Sequence, residues 1–237
     1  MTVGLWPGVV SSGGSIAIPS IGENVYGGYY AGLIDTTRVG SIDSDDEYQT
    51  GAKYLLIVAP QSLETTSTFY PTFTAGPSGL ETRWDGLSAT TVLKNASSDW
   101  AAATYCYDLS YPSDAGSRWY LPAMDELVLV YRNLKPTTTS NLVDSISSTF
   151  PGGFVANGNN ISSDPSLSAH TSGNPGQTSV TVFKTGGSES MDSASPYWSV
   201  TKRESGTGFR VGFSSGFWQS SGYQNSGSVR PVRRVLL

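Results

Sequence analysis

The pattern of apolar and polar positions predicts a set of β-strands along the chain. KYLLIVAP, residues 53–60, is an almost continuous apolar run that ends at a proline, as a buried strand does. GGYYAGLID, residues 27–35, has the same character. In GFRVGF, residues 208–213, apolar side chains alternate with Arg and Gly, which is the two-residue period of a half-buried strand. YWSVTK and SVRPVRRV, residues 197–202 and 228–235, read as further strands near the end of the chain.

Two segments instead have the spacing of helices. SSDWAAATYCYDL, residues 97–109, begins with Ser and Asp, and its apolar residues recur every three to four positions. LPAMDELVLVYRNLKP, residues 121–136, has an acidic pair in its first turn that suits the helix dipole, and it ends at Pro136. Its apolar stripe predicts core positions at Met124, Leu127, Val128, Tyr131 and Leu134.

Two helices followed by a group of short strands indicate an α+β domain. Residues 1–25 are rich in Gly, Ser and Pro and are interpreted as an N-terminal arm for assembly or attachment, which leaves residues 26–237 as one domain. Residues 137–177 form a polar stretch without periodicity, and a loop of that length is usually functional or ordered by a partner.

Composition restricts the classes of partner. Charged residues make up 14% of the chain, so its surface is expected to consist of neutral hydrogen-bonding groups. The net charge of −5 argues against nucleic-acid binding, which needs a basic surface. The sequence has no apolar run of membrane-spanning length and no signal-peptide pattern, so we expect a soluble protein made in a cytoplasm, with no membrane insertion.

The residues available for chemistry are few, and no cofactor is expected. One cysteine, Cys106, is expected to be a buried apolar residue, and one histidine, His170, is expected to be a solvated loop residue. A single His and a single Cys cannot build an ordinary zinc site. The acidic run from Asp43 to Glu47 is either a solvated turn or a calcium site, and it lacks the EF-hand spacing. No catalytic residues are assigned, and an enzyme acting on polysaccharide is the least favoured function.

Three stretches in order resemble a family of C-type-lectin-like domains found in phage tail and virion proteins and in bacterial surface proteins. They are RWYLPAMDELVLVYRNLKP, YWSVTK and VRPVRRV, residues 118–136, 197–202 and 229–235. The resemblance extends over about residues 26–235. It implies a C-type-lectin-like fold with two helices, a small, mostly antiparallel sheet and long irregular loops. The sequence triplets of calcium-dependent sugar-binding lectins are missing, so the resemblance does not imply a metal site.

In that family the binding face lies between the YWS strand and the final strand, which here is the segment from residue 201 to 228. Within it, GFWQSSGYQNSG has the aromatic, amide and small-residue composition of antibody paratopes. The predicted binding residues are therefore Phe217, Trp218, Tyr223, Gln224 and Asn225, although the aromatic rings would equally suit packing beneath loops.

Together these features predict a non-enzymatic bacteriophage virion protein, and they favour a tail-fibre or receptor-binding protein that attaches to the host. The alternative is a capsid-decoration or tail-connecting protein without receptor binding. The expected partners are other virion proteins, bound through the N-terminal arm, and a host-cell surface glycan or protein. A homo-oligomer is expected, with a trimer favoured.

Overall fold

The computed structural model describes residues 17–38, 52–72, 76–110, 117–143 and 158–237. These ranges contain ten β-strands, which are β1 (Asn24–Val25), β2 (Gly28–Asp35), β3 (Lys53–Val58), β4 (Thr65–Thr68), β5 (Ser163–Asp164), β6 (Tyr197–Glu204), β7 (Thr207–Gly212), β8 (Phe217–Gly222), β9 (Ser226–Val229) and β10 (Val232–Leu236). They also contain three α-helices, α1 (Gly86–Ala96), α2 (Ala101–Asp108) and α3 (Met124–Leu134). Short 3-10 turns occur at Thr36–Arg38, Gln61–Leu63 and Thr181–Phe183.

The first sheet joins the two ends of the described chain. Its strands lie in the order β1, β2, β3, β10, and β5 pairs with the far end of β2. The central strand β3 is antiparallel to both β2 and β10. Its side chains from Tyr54 to Val58 are all buried, as the apolar run predicted.

The second sheet has the order β4, β9, β6, β7, β8. Strands β6, β7 and β8 form an antiparallel meander, while β6 and β9 meet in parallel at one pair of residues. Strand β8 forms one edge of this sheet, and the Arg210 residue of β7 lies directly opposite Gln219 of β8.

Helix α3 packs between the two sheets, and its apolar stripe is buried as predicted. Its first turn is anchored by Glu126, whose carboxylate accepts hydrogen bonds from the Tyr120 hydroxyl at 2.7 Å and from Nε of Arg234 at 2.8 Å. The same carboxylate also accepts from the backbone N–H of Ala123 at 2.7 Å. A buried ion pair therefore connects the start of α3 to β10, in addition to the expected favourable interaction with the helix dipole.

The prediction of an α+β, C-type-lectin-like fold with two helices and one small sheet is wrong. The described residues form a mostly β architecture of two five-stranded sheets and three α-helices. The missed strands TTST in β4 and FWQSSG in β8 are rich in Ser, Thr and Gly and carry no apolar alternation. Their backbone hydrogen bonds are supplied by neighbouring strands, and this pairing does not depend on an apolar side-chain pattern. The strand predicted at residues 228–235 is divided into the end of β9, SGSV, and β10.

Other predictions from the sequence concern single segments of the chain. Helix α1 was missed because its Thr residues and its first Gly have low helix propensity, although Asp85 caps it by accepting from Ser88 N–H at 3.0 Å. Of the predicted arm, residues 1–16 lie outside the described residues, and Asn24–Val25 pairs with β2 in the first sheet. The acidic run from Asp43 to Glu47 and residues 144–157 of the long polar stretch also lie outside them.

Candidate functional site

The register of β6, β7 and β8 separates the side chains of the meander onto two faces. Directly paired residues in antiparallel strands point to the same side of a sheet, and neighbours along a strand alternate sides. Trp198, Arg210 and Gln219 are paired in one row across the three strands. We call the side of the sheet that carries this row the Arg210 face.

The adjacent row lies on the opposite face and belongs to the core. It consists of Tyr197, Val211 and Trp218, and all three belong to the cluster that packs against α3. The side chain of Trp218 is therefore directed into the protein, and this residue is only 4% exposed.

Arg210 is the most unusual residue of the Arg210 face. It is 7% exposed, and its guanidinium lies 4.9 Å from the centre of the Trp198 ring. Its Nη1 donates a hydrogen bond to the backbone oxygen of Ser226 at 2.9 Å, whereas its Nε is buried without a hydrogen-bond partner. No carboxylate of the described residues forms an ion pair with it within 4 Å. Burial lowers the pKa of Arg210, but a guanidinium stays protonated at neutral pH.

Arg230 shows how this chain satisfies a buried guanidinium in its core. Its Nη1 lies 2.9 Å from Glu64, its Nη2 lies 3.1 Å from Glu189, and its Nε donates to the backbone oxygen of Ala59 at 2.6 Å. Arg230 therefore has two acidic partners and a carbonyl, whereas the described partner of Arg210 is one carbonyl. Since an isolated buried charge is costly, Arg210 is less well compensated by the described residues than Arg230 is, with the Trp198 ring and one carbonyl as its neighbours.

Polar and aromatic groups surround Arg210. Phe217 lies across Gly212, where a Cβ atom would overlap the phenyl ring, so only glycine allows this ring position. Asn225 donates from its side-chain amide to Ser221 Oγ at 3.0 Å. Gln224 and Asn225 are exposed, and Phe217 and Gln219 are partly exposed. The Arg210 face thus presents amide groups and one aromatic ring beside Arg210. The other cation paired on this side, Lys202 opposite Gly208, lies 3.4 Å from the carboxylate of Glu81.

The structure divides the five predicted binding residues between surface and core. Phe217 and Asn225 lie at or near the surface beside the Arg210 face, whereas the exposed Gln224 lies next to Gly222, whose Cβ direction belongs to the opposite face. Trp218 and Tyr223 are buried, so their rings contact neighbouring side chains of this chain. The predicted recognition loop is in fact the edge strand β8 with a turn after it.

Sequence reasoning missed Arg210 and Gln219 as candidate site residues. A signal for Arg210 was present, because the alternation in GFRVGF places it on the face opposite to Phe209 and Val211. A second signal is that no charged residue occurs between Arg210 and Arg230, so the chain that follows Arg210 offers it no acidic partner over 19 residues.

The single His and single Cys are both buried. Cys106 is 0% exposed, as predicted. The prediction that His170 is solvated is wrong, because it is 5% exposed and packs beside Tyr131, with ring centres 5.2 Å apart. Among the described residues neither ring nitrogen of His170 has a hydrogen-bond partner, and burial, with Arg132 and Lys135 nearby, lowers its pKa to about 3. Within the described ranges no group of three or more His, Cys, Asp or Glu side chains could hold a metal ion. The same ranges contain no helix long and apolar enough to cross a membrane.

Comparison with known proteins gives information on the fold alone. No protein family matches the sequence, and no curated protein matches it. Among solved structures, a fimbrial protein from Bacteroides ovatus is similar, with a TM-score of 0.50 and 14% sequence identity. The similarity covers 86% of this chain but 43% of the fimbrial protein. This similarity agrees with a β-rich architecture and not with the lectin-like fold expected from the sequence motifs.

Proposed function

We propose that this protein is a binding protein that attaches to a surface through the Arg210 face. The observation that carries the proposal is the buried Arg210, which has no described acidic partner and lies beside partly exposed Gln219. A charge held in this way is stabilised when an external ligand supplies the missing partner.

The groups around Arg210 support a recognition role. Side-chain amides give adaptable hydrogen bonding, and an aromatic ring gives contact area at small entropic cost. Phe217, Gln219, Gln224 and Asn225 supply these groups within one short segment. The segment between Arg210 and Arg230 has no charge that would restrict the ligand by repulsion.

Attachment to a host cell as part of a phage particle is the form of this function that the sequence motifs favour. The similarity to the fimbrial protein supports the fold alone at 14% identity, so the proposal rests on the Arg210 face.

The test compares surface binding by the wild-type chain and by a triple variant, Gln219→Ala, Gln224→Ala and Asn225→Ala. Fluorescently labelled protein would be incubated with a panel of bacterial cells and with a printed array of neutral, amino and acidic oligosaccharides. We expect binding that the triple variant loses, while its unfolding midpoint stays close to that of the wild type because these side chains are exposed or partly exposed. Asn95→Ala, an exposed amide on α1, is the matched control and should bind normally. Absence of wild-type binding, or equal binding by the triple variant, would refute the proposal.

A second candidate function is structural, as in capsid decoration or the joining of tail parts. The edge strand β8 favours it, because FWQSSG contains neither charge nor proline, the residues that usually prevent edge-to-edge pairing. Sedimentation of the wild type and of Ser220→Lys separates this function from attachment. A wild-type oligomer that the lysine variant converts to monomer supports strand pairing, and equal sedimentation of the two contradicts it.

A further inference from the structure

We infer that the Arg210 face recognises a carboxylated sugar, with the Arg210 guanidinium as its contact to the carboxylate. The inference rests on the proposed function, because it names the ligand class of the same site. It follows from the missing counter-charge, the polar groups around it and the charge of the whole chain.

The first step concerns the cation. Arg230, Arg234 and Arg83 are neighbours of Glu64, Glu126 and Asp125, respectively, at 2.9 Å or less. Arg210 instead donates to a backbone carbonyl, which carries no net charge. A guanidinium binds a carboxylate more strongly than a neutral acceptor, and its planar fork matches the two carboxylate oxygens. No carboxylate of the described residues pairs with Arg210, so a carboxylate is the group that an external ligand can supply.

The second step concerns the neighbouring groups. Gln219 lies directly opposite Arg210, a position that places the two Cβ atoms roughly 4.5–5.5 Å apart on one face. Gln219 and Asn225 present amides that can both donate to and accept from hydroxyl groups. Phe217 adds an apolar surface at the next pair of the two strands. Amides, an aromatic ring and one cation suit a ligand with several hydroxyls and one carboxylate.

The third step distinguishes a sugar acid from an acidic peptide or a densely charged polymer. A run of acidic side chains requires several cations, whereas the segment from residue 211 to 229 contains none. The chain also has a net charge of −5, which repels a polyanion over the range set by ionic strength. One carboxylate for each recognised sugar unit fits a single buried arginine.

The probe pair is a galactose trimer whose terminal unit is galacturonic acid and the same trimer with that one carboxylate methyl-esterified. The two share all ring hydroxyls and differ in charge, so their affinity ratio isolates the carboxylate contact. Titration calorimetry at low ionic strength should show that the acid form binds at least about tenfold more tightly, because a charge-assisted hydrogen bond is lost in the ester. Equal affinity for the two forms would overturn the inference.

Two variants assign that preference to Arg210. Gln219→Glu places a carboxylate opposite Arg210 on the same face. Because this carboxylate can form an ion pair with the Arg210 guanidinium, the variant should lose the preference for the acid form. Arg210→Gln should also abolish it. Since Arg210 also packs on Trp198 and its replacement could impair folding, Gln219→Glu is the decisive variant. Asn95→Asp, which adds the same charge at an exposed position on α1, should keep the preference and controls for net charge.

The outcomes separate this inference from the proposed function. If cell or array binding requires Gln219, Gln224 and Asn225 but Gln219→Glu retains a preference for the acid trimer, the attachment function stands and the carboxylate assignment fails. If a glutamate hexapeptide binds in preference to the trimer, the ligand is an acidic peptide and the inference is again wrong. If no surface is bound at all, the attachment function itself fails.

Discussion

Replacement of Tyr223 by Ala should lower the stability of the fold, whereas replacement by Phe should leave it unchanged or raise it. Tyr223 is 0% exposed, and its ring stacks on Phe69 with centres 4.8 Å apart and meets Trp100 edge-on at 5.5 Å. Its hydroxyl is buried and has no hydrogen-bond partner within the part of the chain that the structure describes. The ring therefore stabilises the fold, while the hydroxyl opposes folding by losing its hydration.

The expected changes in the free energy of unfolding follow from these two contributions. Truncation of a buried aromatic ring to Ala costs about 3–5 kcal/mol. Because Tyr223→Ala also removes two ring pairs, we expect its cost to be at the upper end of that range. An unsatisfied buried hydroxyl costs about 1–3 kcal/mol, part of which Tyr223→Phe recovers. We expect Tyr223→Phe to leave stability unchanged or to raise it by about 1 kcal/mol.

Urea unfolding, monitored by tryptophan fluorescence and by far-UV circular dichroism, gives the free energy of unfolding of each Tyr223 variant and of the wild type. Agreement of the two probes checks that unfolding is two-state. A Tyr223→Phe variant destabilised by more than about 1 kcal/mol would show that the hydroxyl has a partner. A Tyr223→Ala variant within about 0.5 kcal/mol of the wild type would show that the ring lies on the surface, as its assignment to the binding residues predicted.

Three further perturbations test other parts of the structure. Leu127→Ala should cost about 2–5 kcal/mol in urea unfolding, because Leu127 is buried in the core between the sheets, and an unchanged midpoint would contradict the placement of α3. Gly212→Ala should lower the thermal midpoint and weaken binding by displacing the Phe217 ring, and a crystal structure of the variant with Phe217 unmoved would disprove this. Because the pKa of His170 is lowered to about 3, the unfolded chain binds the extra proton below about pH 6.5, and stability should fall as pH decreases from there towards 3. His170→Gln should remove this part of the pH dependence, by up to about 1.4 kcal/mol per pH unit, and identical pH profiles of stability for variant and wild type would refute the burial argument.

Sequence alone determined the elements whose side chains are themselves apolar. The run in β3 and the stripe of α3 lie where the pattern placed them. Strand β7 lies at the predicted position but is buried on both faces, whereas its alternation predicted a half-buried strand. In β3 and α3 the side chains that define the pattern are also those that form the core, so local periodicity and tertiary packing agree.

Tertiary structure alone decided the second sheet and the position of the candidate site. Strands β8 and β9 exist because neighbouring strands accept and donate their backbone hydrogen bonds, although Ser and Gly dominate them. The register then assigns Trp218 to the core and Gln219 to the opposite face, since neighbours along a strand point to opposite sides. Composition cannot specify a register. The absence of a described acidic partner for Arg210 is likewise a property of pairing in space: Arg230 meets Glu64 and Glu189 across more than 40 residues of chain, whereas the fold brings Arg210 to Ser226 and Trp198.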